Sequence, residues 1–289
     1  MLYYNITFKL YFSLLLFVIS TLSWAGESAK PLVMTTTKPL AIIAKSALMD
    51  NAGVEFILPS GHSPHNAVIT VSALKKINSA DLVLWIGPDF EVRAAKHMRL
   101  LPEEKVLTGM DYIFPESTQG EQSKELNYAK DPHIWLSPSI ANRIAGKLQQ
   151  VFNLPQQSIF TQQHQAKIEE LLDGIKAQSF ITHHDSVGYF VDAFNLQPPL
   201  TIRNKMGERR GIKTQLNLRE QARQRNARCV FAEPQQGYKD ALRIAQDLQL
   251  PIAEFDIQAL EQPLSEISYA DYMYDIALQL NTCFQKSAS

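Results

Sequence analysis

The 289-residue chain predicts an α/β protein of two lobes, each a mostly parallel sheet flanked by helices, joined by one long connecting helix. Short apolar, β-rich runs recur along it, and each is followed by a polar turn and then by residues at helical spacing. The middle of the chain carries no strand signal, and only a narrow apolar stripe marks it.

In chain order, residues 1–25 come first. Leu10 to Leu22 form an apolar run broken only by Ser and Thr, preceded by the lone Lys9 and followed by Ser23-Trp24-Ala25. The run is too short for a membrane-spanning helix, and small residues stand where a signal peptidase cuts, so residues 1–25 read as a signal peptide cleaved after Ala25, with an uncleaved anchor as the alternative. The mature chain would hold about 264 residues, enough for two domains or one large one. An amino-terminal lobe is assigned to residues 26–154, with strands at 31–36, 54–58 and 80–86. Ser137 before Pro138 supplies a helix cap and a first-turn proline, and Ile140, Ile144, Leu148 and Val151 continue on one face. Residues 155–178 are assigned to the connecting helix, because Ile168, Leu171, Leu172 and Ile175 stand among Gln, Lys and Glu; a crossover helix inside a single sheet is the alternative. A carboxy-terminal lobe covers 179–289, with strands at 180–182, 228–231 and 251–255. Residues 115–130, rich in Glu, Gln, Ser and Lys, read as flexible.

Charge excludes one class of partner. The chain has 28 Lys and Arg against 29 Asp and Glu, and its one basic cluster, Arg203 to Lys213, is interrupted by Gly207, Glu208 and Gly211. That describes a solvated loop rather than a nucleic-acid surface. No further stretch is long and apolar enough to cross a membrane. Cys229 and Cys283 are the two cysteines, and neither lies near the cleavage site, so no lipid anchor is expected. In an oxidising compartment an isolated pair favours a disulfide over two free thiols.

Four of the candidate ligands stand where a strand or loop hands over to a helix, and in open parallel sheets ligands bind beyond the carboxyl ends of the strands. They are His65 in "LPSGHSPHNAV", His133 in "DPHIWLSP", His184 in "ITHHDSVGYF" and Asp256 in "EFDIQAL". Singly, each reads more readily as a hydrogen-bonding loop residue or a helix cap. Three imidazoles and a carboxylate gathered in one cleft are the four-coordinate set that Zn²⁺ prefers. His62 competes with His65 and His183 with His184; because neighbours on a strand point to opposite faces, only one of the latter two can enter the cleft. His97 and His164 lie in helical, polar surroundings and are expected to be exposed.

Taken in order, "LPSGHSPH", "SADLVLWIGPDFE", "DPHIWLSP", "HDSVGYF", "RCVFAEPQ" and "LNTC" make the chain similar, over essentially its whole mature length, to the periplasmic zinc-binding proteins of ABC importers, in the metal-binding cluster of solute-binding proteins. The resemblance implies two lobes joined by a long helix with metal in the crevice between them. It places ligands at His65, His133 and His184, selecting His184 over His183, and a carboxylate at Asp256, although "EFDIQAL" departs from the usual pattern. It also implies a Cys229–Cys283 disulfide, Zn²⁺ as the transported ligand and ABC permease subunits as partners of a monomeric receptor in the periplasm. Asp185 is a candidate for orienting a ligand, or for capping a helix. Manganese-binding relatives usually place a glutamate where His184 stands, so a third imidazole favours zinc over Mn²⁺. Residues 115–130 lack the histidines found in this loop of many zinc-binding members, which implies one ion per chain, and "NKMGERRGIKTQLNL" also departs from the common pattern. A zinc hydrolase is the rival from another class, but the chain has no H-E-x-x-H, G-x-S-x-G or phosphate-binding glycine loop. A surface adhesin, a role attributed to some relatives, is disfavoured by the missing anchor cysteine.

Overall fold

In the amino-terminal part of the protein, strands β1 (Leu32–Thr35), β2 (Gly53–Phe56), β3 (Leu82–Trp85) and β4 (Val106–Thr108) form a sheet in the order β2-β1-β3-β4. Every neighbouring pair in it is parallel. In this computed structural model, residues 30–58, 69–114, 131–260, 263–265 and 268–286 are described. The expected signal peptide, His62, His65 and residues 115–130 lie outside them.

A second sheet repeats the arrangement: β5 (Ile181–His184), β6 (Leu200–Arg203), β7 (Val230–Ala232) and β8 (Ile252–Glu254), in the order β6-β5-β7-β8 and again all parallel. Parallel neighbours need crossovers, and helices supply them. Around the first sheet these are α1 (Lys38–Leu48), α2 (Val71–Ser79), α3 (Val92–Met98) and α4 (Pro138–Val151). Around the second they are α6 (Gly188–Ala193), α7 (Ile212–Gln224), α8 (Lys239–Leu248) and the last helix, α9 (Tyr269–Lys286).

In chain order between the two sheets comes α5 (Gln162–Leu172), continued by a 3₁₀ turn over Asp173–Ile175. Within the 155–178 span expected for it, helix is present only over these residues, short of the span at both ends. The Thr161 hydroxyl accepts from the His164 backbone N–H and the His164 ring accepts from the Thr161 N–H, a capping box that starts the helix there. Ile168, Leu172 and Ile175 are the buried stripe. His164, expected to be exposed, is half-buried by this duty, and His97 is half-buried too. At α4, Ser137 caps as expected, its hydroxyl accepting from the Ile140 N–H, while Val151 at the far end is exposed.

The described residues from Leu32 onward form one compact unit, and one apolar core runs through both sheets. Val33, Leu40 and Ile144 from the first half belong to the same cluster as Phe180, Phe231 and Phe255 from the second. Polar contacts accompany it. The Trp135 indole donates to the Ile257 carbonyl at 3.0 Å, the Tyr269 hydroxyl donates to the Trp135 carbonyl at 2.9 Å, and the Lys38 ammonium donates to the Leu260 carbonyl at 3.1 Å. Cys229, just before β7, is joined to Cys283 on α9 with Cα atoms 6.2 Å apart, which ties the last helix to the second sheet across 54 residues of sequence.

Candidate metal centre

His133 and His184 come together although 51 residues separate them. His184 is the last residue of β5, and its side chain lies on the same face as Thr182, toward the shared core. Thr182 Oγ1 donates to the His184 carbonyl at 2.9 Å, and the Ser186 N–H donates to it at 3.0 Å, so the strand end is closed off. His133 opens a 3₁₀ turn, Ile134–Leu136, whose Leu136 N–H donates back to the His133 carbonyl at 3.0 Å. Behind that turn Gly109 is needed for room: a Cβ there would lie 2.5 Å from Ile134 Cδ1.

Each imidazole is held by a carboxylate. His133 Nδ1 lies 2.7 Å from Asp131 Oδ1, which also accepts the His133 backbone N–H at 3.1 Å. His184 Nδ1 lies 2.6 Å from Glu233 Oε1, at the carboxyl end of the neighbouring strand β7, and the Ser186 hydroxyl donates to the same oxygen at 3.3 Å. All four groups are at most 2% exposed, so water does not screen them. A carboxylate accepts hydrogen bonds, which fixes the proton of each neutral ring on Nδ1 and leaves a lone pair on Nε2. The two Nε2 atoms are 3.1 Å apart.

Two lone pairs at that distance repel unless a cation is shared between them. A proton can serve, but burial pushes the His133 pKa below its usual 6.5, only partly opposed by the hydrogen bond and charge of Asp131, and the neighbouring His184 lowers it further. A metal ion fits the spacing. Two nitrogens bound at about 2.0–2.1 Å in tetrahedral geometry stand about 3.3 Å apart. The two carboxylates also bring two formal negative charges into the buried cluster, and a divalent cation balances them. Burial alone would raise the Asp131 pKa; the hydrogen bond and charge of His133, its backbone N–H and the charge of Lys205 reverse that and hold the carboxyl below its usual range.

The other expected ligands fall as follows. His65 and its rival His62 are outside the described residues. Among those described, no three His, Cys, Asp or Glu side chains form a group that could hold a metal ion. Asp256 is 9% exposed, and its oxygens accept from the backbone N–H groups of Gln258 at 3.2 Å and Leu260 at 2.6 Å, which shapes the loop after β8. His183 points to the opposite face of β5, is fully buried, and has no hydrogen-bond partner at either ring nitrogen among the described residues. Burial lowers its pKa as well. Asp185 is half-buried, and the carboxylates on the imidazole N–H groups are Asp131 and Glu233. Sequence reasoning missed both, although "DPH" and "AEP" carried the signal: an acid two residues before one candidate ligand, and an acid at the carboxyl end of a strand.

A family described as zinc-uptake complex component A, periplasmic, matches residues 33–155 and 160–283. The high-affinity zinc uptake system protein ZnuA of Yersinia pestis is 26% identical over 297 residues, covering 89% of this chain and 92% of that protein. Among solved structures, the periplasmic zinc-binding protein TroA of Treponema pallidum superposes with a TM-score of 0.72 at 18% identity, covering 89% of this chain and 99% of TroA. A ZnuA deletion mutant with zinc bound gives 0.68 at 20% identity, with 88% and 97% covered. At these identities the two structures share the fold with this chain.

Proposed function

Since the chain belongs to the periplasmic zinc-uptake component A family, we propose that it is a high-affinity receptor that captures Zn²⁺ in the periplasm and delivers it to an ABC-type permease. The observation that carries this reading is the pair of facing Nε2 atoms, each ring fixed by a buried carboxylate. His133 and His184 supply two ligands, His65 the third, and Asp256 or water the fourth. Metal-bound imidazoles need a partner for their other N–H, and Asp131 and Glu233 are those partners. Imidazole donors favour Zn²⁺ over the harder Mn²⁺.

The receptor acts as a monomer with the lobe limits read from the sequence: 26–154 and 179–289, joined through 155–178. It performs no catalysis. The two carboxylates nearest the imidazoles hold Nδ1–H groups, whereas a zinc hydrolase needs a general base beside the metal-bound water. Metal analysis of the purified protein beside the variant His65→Ala/His133→Ala/His184→Ala tests the assignment. One zinc per chain in the parent and none in the variant is expected. Undiminished zinc in the variant would overturn it, with His62 and His183 the next ligands to test.

A further inference from the structure

Beyond β6 the chain folds back on itself between Arg203 and Arg210. Asn204 organises the turn: its Oδ1 accepts from the N–H groups of Met206 at 3.1 Å and Glu208 at 2.9 Å, and its Nδ2 donates to Glu208 Oε2 at 2.8 Å. Gly207, at φ +75°, takes a backbone conformation that other residues resist, and its carbonyl accepts from Arg203 Nη1 at 3.0 Å. Arg203 and Arg209 both pair with Asp240 on α8 and bridge to one another through their backbones. Lys205 is therefore carried by a braced turn rather than a loose one. Its Nζ lies 3.8 Å from Asp131 Oδ2, on the carboxylate whose other oxygen holds His133. Asp131 is 1% exposed and the Lys205 side chain 36%, so the ammonium sits at the edge of the site with one side in solvent. Asp192 on α6 feels the same charge.

We infer that Lys205 is a positioning residue that lowers the affinity for zinc and speeds its release, by competing with His133 for the Asp131 carboxylate. This rests on the receptor reading above. An imidazole donates more strongly to a metal when its N–H faces an unshared carboxylate, and a fixed positive charge beside a dication repels it. Both effects have the same sign. A receptor that must surrender its cargo gains from a cation placed against the support of one ligand rather than against the metal itself.

The test uses the full mature protein with Zn²⁺ as probe, measuring affinity by competition with a fluorescent chelator and release by transfer to excess chelator. Lys205→Met is expected to bind zinc about three- to tenfold more tightly and to release it more slowly in proportion. Lys205→Arg restores the parent values, and the gap between Met and parent narrows as salt is raised. In the metal-free protein the Nδ1-bound proton of His133 shifts downfield in Lys205→Met while that of His184 holds its position, which a purely structural role for Lys205 would not produce. Should Lys205→Met not be recovered folded, Lys205→Gln replaces it. Equal or weaker zinc binding in the neutral variant, beside a parent that binds one zinc, would overturn the inference alone. A parent that binds no zinc would overturn the receptor reading with it.

Discussion

Glu91 offers a perturbation whose size can be worked from the structure. It precedes α3 at the carboxyl end of β3, is 6% exposed, and accepts the Ile86 N–H on Oε2 at 2.7 Å. Burial pushes its pKa from 4.5 up to about 7, against the lowering effect of its hydrogen bonds to Ile86 and Gly87. The folded value lies above the unfolded one, so the folded state holds the proton more tightly. Glu91's contribution is then fully present below the unfolded value and is lost as pH rises through the folded one. Glu91→Gln removes that loss while keeping an acceptor of the same shape. At about 1.36 kcal/mol per pKa unit, the stability of Glu91→Gln relative to the parent should rise by about 2.5 kcal/mol between about pH 5 and pH 8. Guanidinium unfolding of both proteins, stripped of metal so that ligand binding adds nothing, measures the difference. Other titrating groups cancel in it. Stability curves that run parallel across this range would refute the reasoning, because a glutamate that ionises as freely folded as unfolded cannot be the buried group described above.

Asp131→Asn and Glu233→Gln should each weaken zinc binding about 10- to 100-fold, measured by chelator competition; a change below twofold would show that the imidazoles need no carboxylate support. Zinc affinity should fall as pH drops below about 6.5, where imidazoles begin to take protons. Burial lowers the His133 pKa, and equal calorimetric affinities at about pH 7.5 and pH 5.5 would contradict the predicted fall. Replacing Cys229 and Cys283 by Ala should cost about 2–4 kcal/mol in denaturant unfolding, with 54 residues of separation between them. Trp135→Phe removes a donor from the Ile257 carbonyl, which keeps the Tyr272 hydroxyl at 2.7 Å. That substitution should destabilise by about 1 kcal/mol, and a loss above about 3 kcal/mol would mean that the indole does more than donate.

The architecture was legible where strands are buried on both faces. β1 and β3 read as unbroken apolar runs because sheet neighbours and helices cover them, and β8 was found beside its proline. β4 and β6, three or four residues long with threonine or arginine among their apolar positions, escaped notice. β5 was expected to end at Thr182 and extends to His184, since two histidines look like a turn until the parallel pairing of His184 with Arg203 places them in the ladder. His133 and His184, which the structure brings together, were both among the residues singled out from the sequence. Their carboxylate partners were not, for different reasons. Asp131 was adjacent and overlooked, whereas Glu233 meets His184 through the adjacency of β5 and β7, which no spacing of 49 residues encodes. Lys205 reaches Asp131 through the same kind of long-range geometry.

The apolar core that passes without interruption from one sheet to the other has a bearing on how cargo is held. Binding proteins that clamp their ligand by swinging apart and shutting need a waist whose side chains can part cheaply. Here such a motion would wet Phe180, Phe231, Ile144 and their neighbours and would break the Trp135 and Tyr269 bonds that stitch the halves together. Small-angle scattering with and without zinc should therefore give nearly the same radius of gyration. Letting the ion go is then a matter for the short segments around it, not for the bulk of the molecule.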